Sequence, residues 1–237
     1  HQPHDRRLHH WEVRLMARHF DSELKGLKDG LLSMAGMAER MIDLTRRALI
    51  ERNTSLIDEV NILDEKLDEM ELRLDQLCID LLALRAPIAA DLRLIASAIK
   101  IIPEVERIGD HCGNICRRAK MLNDQPPVLH GDYLERLATE TQSMVRRAAD
   151  AFVTSDASLA RAVISDDDKV DNLYQSIYRE LLKLMISDPL CIERASHLIL
   201  VIKNWERIAD QATNIAEEVL FILEGRSAKH SYLQGRN

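Results

Sequence analysis

The sequence is poor in aromatic residues and in the residues that interrupt helices. Aromatic side chains make up 4% of the 237 residues, and the chain contains only eight glycines and six prolines. Strand-rich folds favour β-branched and aromatic residues, whereas this composition favours helices that pack through Leu, Ile, Ala and Met. We therefore predict an all-α fold.

Further absences narrow the class of protein. The four cysteines form no CxxC pair, which favours reduced thiols in a cytoplasmic protein over a disulfide framework. No uncharged apolar run approaches the roughly 18 residues that a membrane span requires. The formal net charge of −7 argues against nonspecific binding to nucleic acid, which needs a basic surface. We expect a cytoplasmic protein without a nucleic-acid partner.

Apolar residues recur with helical periodicity from about residue 20 onward, and one stretch with two prolines and a glycine, 123–131, predicts a linker. We predict similar three-helix bundles over 20–122 and 132–225. The N-terminal extension, 1–19, holds the start of helix one and is expected to be partly disordered, and 226–237 is expected to be a loose tail. The six predicted helices cover about 21–52, 56–84, 88–122, 132–154, 158–186 and 190–224.

Two short motifs occur once in each half of the chain. The segment ERIGDHCGNI at 106–115 returns as ERIADQATNI at 206–215, and DEKLD at 64–68 returns as DDKVD at 167–171. The first motif falls on helices three and six, and the second falls on helices two and five. Self-similarity of this kind indicates an internal duplication.

The longer motif separates a core face from an acidic face. At about 100° per residue, Glu106 and Asp110 lie opposite the apolar stripe of helix three, and Glu206 and Asp210 do the same on helix six. The predicted core stripes are Leu94, Ile101, Val105, Ile108, Cys112, Ile115 and Ala119 in helix three and Trp205, Ile208, Ala212, Ile215 and Val219 in helix six.

The preceding helix of each half carries further acids in line. Chance supplies several acid pairs four residues apart in a chain this acidic, so a single pair carries no weight. Two pairs per half at equivalent places are more than chance supplies. Helix two carries Asp64, Asp68, Glu71 and Asp75, whereas helix five carries Asp167 and Asp171, followed by Tyr174 and Tyr178.

Carboxylates gathered from two neighbouring helices repel one another unless a cation lies between them. Carboxylate oxygens without His or Cys suit hard cations such as Mg²⁺, Mn²⁺, Ca²⁺ or ferric iron. The residues alone leave two interpretations open: a metal-binding surface and an acidic docking face for a basic partner.

These motifs resemble those of the PhoU family, the regulators of phosphate uptake. The resemblance extends over about 16–225 and is most specific in the duplicated E-R-I-x-D-x-x-x-N-I pattern. It implies two three-helix bundles side by side, each bearing an E(D)xxxD surface motif that is associated in the family with multinuclear metal clusters. Carried over to this chain, the implied metal ligands are Glu106, Asp110, Glu206 and Asp210, their partners Asp64, Asp68, Asp167 and Asp171, and more weakly Asn114 and Asn214.

The function implied by the resemblance is regulatory and not catalytic. Such proteins are cytoplasmic adaptors that relay the state of the phosphate ABC transporter, whose ATPase subunit is one partner, to a phosphate-sensing membrane histidine kinase. They repress the phosphate-starvation response, meet the membrane only through partners, and are compatible with a homodimer. The implied cofactors are divalent or ferric ions, Fe, Mn, Mg or Zn, in the carboxylate clusters.

Two other functions stay open as alternatives. Metal storage or buffering predicts more ions per chain than two surface clusters hold. A carboxylate–metal hydrolase is less favoured, because His111 is the one histidine near the acids and projects away from them, and because the sequence shows neither an obvious nucleophile nor a phosphate-binding glycine loop.

The two halves differ at one equivalent position. Pro103, one turn before Glu106, departs from the family pattern, removes a backbone N–H and predicts a bend in helix three that displaces the first site. Lys203 holds the equivalent place in helix six, which predicts that the two sites differ in affinity.

Overall fold

The computed structural model describes residues 4–85 and 87–225. These residues form six long α-helices and no strand, which confirms the predicted all-α fold. Single-turn 3₁₀ helices, Thr54–Leu56 and Pro189–Cys191, precede the second and sixth helices. The helices are α1, His4–Ile50; α2, Ile57–Arg85; α3, Ala89–Asn123; α4, Gly131–Thr154; α5, Ala157–Ser187; and α6, Ile192–Glu224.

The helix ends have local causes in the sequence. The Asn53 carboxamide oxygen accepts a hydrogen bond from the backbone N–H of Ser55 at 3.3 Å, which caps the turn that leads into α2. The Asp156 carboxylate caps α5 by accepting from the backbone N–H groups of Ser158 and Leu159 at 2.8 and 3.0 Å. Gly225 ends α6 with a φ of +68°, a left-handed conformation that glycine adopts without strain.

The helix α1 begins within 1–19, the segment expected to hold the start of helix one, but well before residue 21, where the predicted helix begins. The helix begins at His4 and not near residue 21, because no glycine or proline interrupts the sequence between His4 and Lys25. The predicted boundaries of the other five helices agree with the structure within two residues. The predicted tail, 226–237, lies outside the described residues.

Within each half, every helix contacts the other two, as in a three-helix bundle. The two bundles share one continuous apolar core, and α3 and α6 form the most extensive contact between any two helices. Every residue of both predicted core stripes is buried, and Trp205 is completely buried at the centre of the second. Burial of the stripes turns the charged faces of α3 and α6 away from the core.

The α3–α6 contact is antiparallel and carries polar contacts along its length. Ser97 donates to Glu218 at 3.1 Å near the start of α3, and Nδ1 of His111 lies 3.1 Å from the Asn204 carboxamide oxygen further along. This direction places the start of α3 beside the end of α6. The helix α3 is continuous through Pro103, and the bend predicted there stays a prediction.

Candidate functional site

The first acidic cluster lies where α2 packs against α3. Asp64 and Glu71 are half-buried, whereas Asp68 and Asp110 are exposed. The charges of carboxylates from both helices act on Glu106, so the structure brings the predicted acids of the first half into electrostatic range of one another. The first acidic cluster consists of Asp64, Asp68, Glu71, Asp75, Glu106 and Asp110.

A glycine allows this close approach of α2 and α3. A Cβ atom at position 109 would lie 2.9 Å from Oδ1 of Asp64 and 2.9 Å from Cδ1 of Leu67. Contacts this short are essentially absent between real Cβ atoms and their neighbours, so position 109 requires glycine for Asp64 to lie where it does. The sequence interpretation did not single out Gly109, although the repeat offers a signal, because Ala209 is its equivalent in α6.

Burial and repulsion between neighbouring carboxylates raise the pKa values of Glu106 and Asp64. Burial is the largest cause for Glu106, followed by repulsion from Asp110 and Glu71, and together these effects raise its pKa from 4.5 to about 7. Burial, and then repulsion from Asp68 and Asp110, raises the pKa of Asp64. Groups of this kind favour a proton or a cation nearby.

The second acidic cluster occupies the equivalent place between α5 and α6 and consists of Asp167, Asp171, Glu206 and Asp210. Burial, followed by repulsion from Glu206 and Asp167, raises the pKa of Asp210 to about 6. Burial also raises the pKa of Asp167, although a hydrogen bond from the Thr213 hydroxyl at 3.2 Å opposes this shift. The structure therefore brings the predicted acids of the second half together as well.

A lysine lies inside the second cluster. The ammonium nitrogen of Lys203 lies 2.5 Å from each carboxylate oxygen of Glu206. The same nitrogen lies 5.4 Å from the centroid of the Tyr174 ring, as in a cation–π contact. The positive charge of Lys203 also lowers the pKa of Asp210, against the larger effects of burial and of neighbouring acids.

The two asparagines that were predicted as weaker ligands make other contacts. The Asn114 carboxamide oxygen accepts from the Arg117 guanidinium. The Asn214 side chain donates to Glu104 at 3.0 Å across the α3–α6 contact. His111, which the sequence places away from the acids, faces Asn204 of α6, in agreement with that interpretation.

The carboxylate oxygens of the first cluster are donors that a hard cation prefers, whereas in the second cluster the Lys203 ammonium already contacts both oxygens of Glu206. Among the described residues, no group of three or more His, Cys, Asp or Glu side chains has an arrangement that would hold a metal ion. Metal binding at the eight predicted acids therefore stays a prediction. All four cysteines are buried, and burial raises the pKa of Cys78 to about 12 and that of Cys116 to about 11, which keeps both as neutral thiols.

Two similar helical bundles with one core, each carrying an acidic cluster at the same place, define a class of duplicated all-α proteins. The PhoU domain matches residues 31–119 and 134–219, one match in each bundle, and the chain belongs to the PhoU domain family. No helix in the described part of the chain is both long and apolar enough to cross a membrane.

Relatives support this membership over most of the chain. The phosphate-specific transport system accessory protein PhoU homologue of Pseudomonas aeruginosa is 36% identical over 217 residues, covering 91% of this chain and 89% of that protein. The homologue of the same name from Aquifex aeolicus is 36% identical over 212 residues, which cover 90% of this chain and 96% of that protein. The crystal structure of PhoU from Pseudomonas aeruginosa superimposes with a TM-score of 0.85 at 36% identity, covering 87% of this chain and all of that one.

Proposed function

We propose that this chain is an accessory regulator of phosphate uptake that represses the phosphate-starvation response. In this role it is a cytoplasmic adaptor between the ATPase subunit of a phosphate ABC transporter and a phosphate-sensing membrane histidine kinase. The observation that carries the proposal is the match of both bundles to the PhoU domain, together with relatives over most of the chain whose names assign them to phosphate-specific transport.

The geometry suits an adaptor. One continuous core holds the two bundles together, so the chain presents its surfaces in a fixed arrangement. Each bundle carries an acidic cluster in which carboxylates outnumber cations, and electrostatic complementarity favours a partner with a basic patch. The proposed action is regulatory, without catalysis, and the chain reaches the membrane only through its partners.

We further propose that a divalent or ferric ion, with Fe, Mn, Mg and Zn as the candidates, binds the acidic clusters. The first half supports this proposal most directly. Burial and then repulsion from the carboxylates of Asp110, Glu71, Asp68 and Asp64 raise the pKa of Glu106 to about 7, and burial and repulsion from Asp68 and Asp110 raise the pKa of Asp64. The cation supplies the positive charge that these carboxylates lack. Because Gly109 has no side chain, Asp64 of α2 can lie close to α3, beside the other acids of the cluster.

Binding to the transporter tests the adaptor role. The purified chain is titrated into the purified ATPase subunit of the phosphate transporter of the same organism, with isothermal calorimetry as the measurement. A matched variant, Glu106→Gln/Asp110→Asn, reports whether the first acidic cluster contributes to the contact. Saturable binding by the wild-type chain supports the proposal, and the absence of any binding heat with a folded ATPase subunit contradicts the transporter contact.

Hydrolysis is the outcome that would require a different function. If the Mn²⁺-loaded chain hydrolysed phosphoesters and Glu206→Ala abolished that activity, the acidic clusters would belong to an enzyme. We expect no hydrolysis above that of a heat-denatured sample.

A further inference from the structure

The two acidic clusters occupy equivalent places in the duplicated fold but are neutralised differently. We infer that Lys203 supplies, in the second cluster, the positive charge that a bound metal ion would supply, so that this chain holds metal in its first half alone. This inference rests on the metal binding proposed above and assigns it to one of the two clusters.

Lys203 is held in place from two sides. Its ammonium nitrogen lies 2.5 Å from both carboxylate oxygens of Glu206 and 5.4 Å from the centroid of the Tyr174 ring. Tyr174 in turn packs on Tyr178, with ring centroids 6.1 Å apart and ring planes 28° from parallel. The Glu206 side chain is only 12% exposed and that of Lys203 is 38% exposed, so the ion pair is partly shielded from solvent.

The equivalent positions of the first half lack the lysine and carry acids in place of the tyrosines. Pro103 stands a hundred residues before Lys203 and brings no charge. Glu71 and Asp75 stand where the second half has its two tyrosines, 103 residues later in the chain. Among the described residues, no ion pair joins a cation to Glu106, and the neighbouring charges that add most to the effect of burial on its pKa are those of carboxylates.

The charges of Arg117 and Arg107 do oppose the rise in the pKa of Asp64 and of Glu71. Arg107 pairs with Glu104 and Arg117 donates to Asn114, however, and neither forms an ion pair with an acid of the cluster. Among the described residues, the first cluster thus has no cation paired with its acids, and it has two additional acids.

Two of the four acids of the second cluster already have hydrogen-bond donors. Glu206 accepts from Lys203 with both oxygens, and Asp167 accepts from the Thr213 hydroxyl at 3.2 Å. A dication that entered this cluster would have to displace the ammonium group or lie beside it, and like charges at this distance repel each other. The donor set of the second half therefore does not fit a metal ion while Lys203 is present.

Charge removal at Lys203 tests the inference, with Mn²⁺ as the probe and isothermal calorimetry on the full chain as the readout. Wild-type chain, Lys203→Met and Lys203→Arg are compared, each with and without Glu106→Ala/Asp110→Ala. We expect Glu106→Ala/Asp110→Ala to remove the binding seen in the wild type. Addition of Lys203→Met should then restore Mn²⁺ binding at the second cluster, at least roughly tenfold tighter than with lysine or arginine at 203. Binding in the wild type that survives loss of the first cluster, or equal binding with Lys and Met at position 203, overturns the inference.

A metal-free readout separates this inference from the proposed metal binding. In chelator, Lys203→Met should lower the urea midpoint of unfolding, because the acids of the second cluster lose their counter-charge, and Lys203→Arg should lower it less. The difference should shrink in about 1 M salt, which screens charges. If no variant binds Mn²⁺, the metal proposal fails, while a salt-sensitive loss in Lys203→Met still supports Lys203 as the internal cation. If Lys203→Met and Lys203→Arg have equal urea midpoints, the inference about Lys203 is overturned.

Discussion

Gly109 of α3 lies directly against the carboxylate of Asp64 on α2, so closely that a Cβ atom at position 109 would stand 2.9 Å from Oδ1 of Asp64. In the second half, the equivalent position is the buried residue Ala209. The duplicated helices therefore differ at the contact that positions the first cluster.

We predict that Gly109→Ala lowers the free energy of unfolding by about 1–3 kcal/mol, because the added methyl group must displace Asp64 and Leu67. The measurement is urea unfolding of the metal-free chain. Gly36→Ala on α1 is the matched control, because its Cβ would meet no heavy atom within 4 Å, and we expect it to stabilise the chain by about 0.5–1 kcal/mol. If the two variants had the same stability, Asp64 and Leu67 would move aside at little cost, and the stability of the fold would not depend on glycine at position 109.

The stability of the metal-free chain should depend on the ionisation of Glu106. In the folded state the pKa of Glu106 is about 7, whereas its ordinary value is 4.5. Between these two pH values the folded state therefore binds more protons than the unfolded state. The contribution of Glu106 to stability therefore falls as pH rises through this window.

The comparison that isolates this effect is between the wild type and Glu106→Gln. His111, whose pKa burial lowers, contributes a slope of the opposite sign near its ordinary pKa, but it does so in both chains. We predict that the urea midpoint of the wild type, relative to that of Glu106→Gln, decreases between about pH 5 and pH 8. A difference that stays constant with pH would show that Glu106 titrates normally.

Removal of the first cluster's α3 acids should leave the fold intact. We predict that Glu106→Ala/Asp110→Ala keeps the helical circular dichroism of the wild type and is at least as stable without metal, because the apolar stripe of α3 is untouched and mutual repulsion is relieved. Elemental analysis of chain purified without chelator should show metal in the wild type and none in this variant. Equal metal content in both would remove these residues from the ligand set.

Truncation of the core stripe should have the opposite effect. Ile208 is completely buried on α6, and Ile208→Ala should cost about 2–5 kcal/mol through lost contacts and a residual cavity. The exposed Ser196→Ala on the same helix is the control, with an expected change within about 0.5 kcal/mol. Urea unfolding measures both, and a small change for Ile208→Ala would contradict its place in the core.

Most of the fold was predictable because helix periodicity and caps are local properties. The apolar stripes around Ile108 and Ile208, and the stop at Gly225, follow from neighbouring residues alone. The start of α1 at His4 was not located, although Pro3 directly before it is a residue type that favours helix starts, because the apolar periodicity is clear only from about residue 20 onward.

The acids of the candidate site were also predictable, because duplication repeats them at equivalent positions. Their surroundings were not. The contact between Lys203 and Glu206, and the approach of Gly109 to Asp64, depend on rotamers and on the distance between packed helices, which sequence spacing leaves undetermined.

Repression of the phosphate-starvation response is the most direct test of the proposed function. The chain is expressed in a bacterium whose own PhoU protein has been deleted, and a reporter of that response is measured in phosphate-rich medium. We predict that the chain restores repression, while the empty vector does not. A folded chain that accumulates to the level of the native protein and leaves the reporter fully active would contradict the proposed regulatory role.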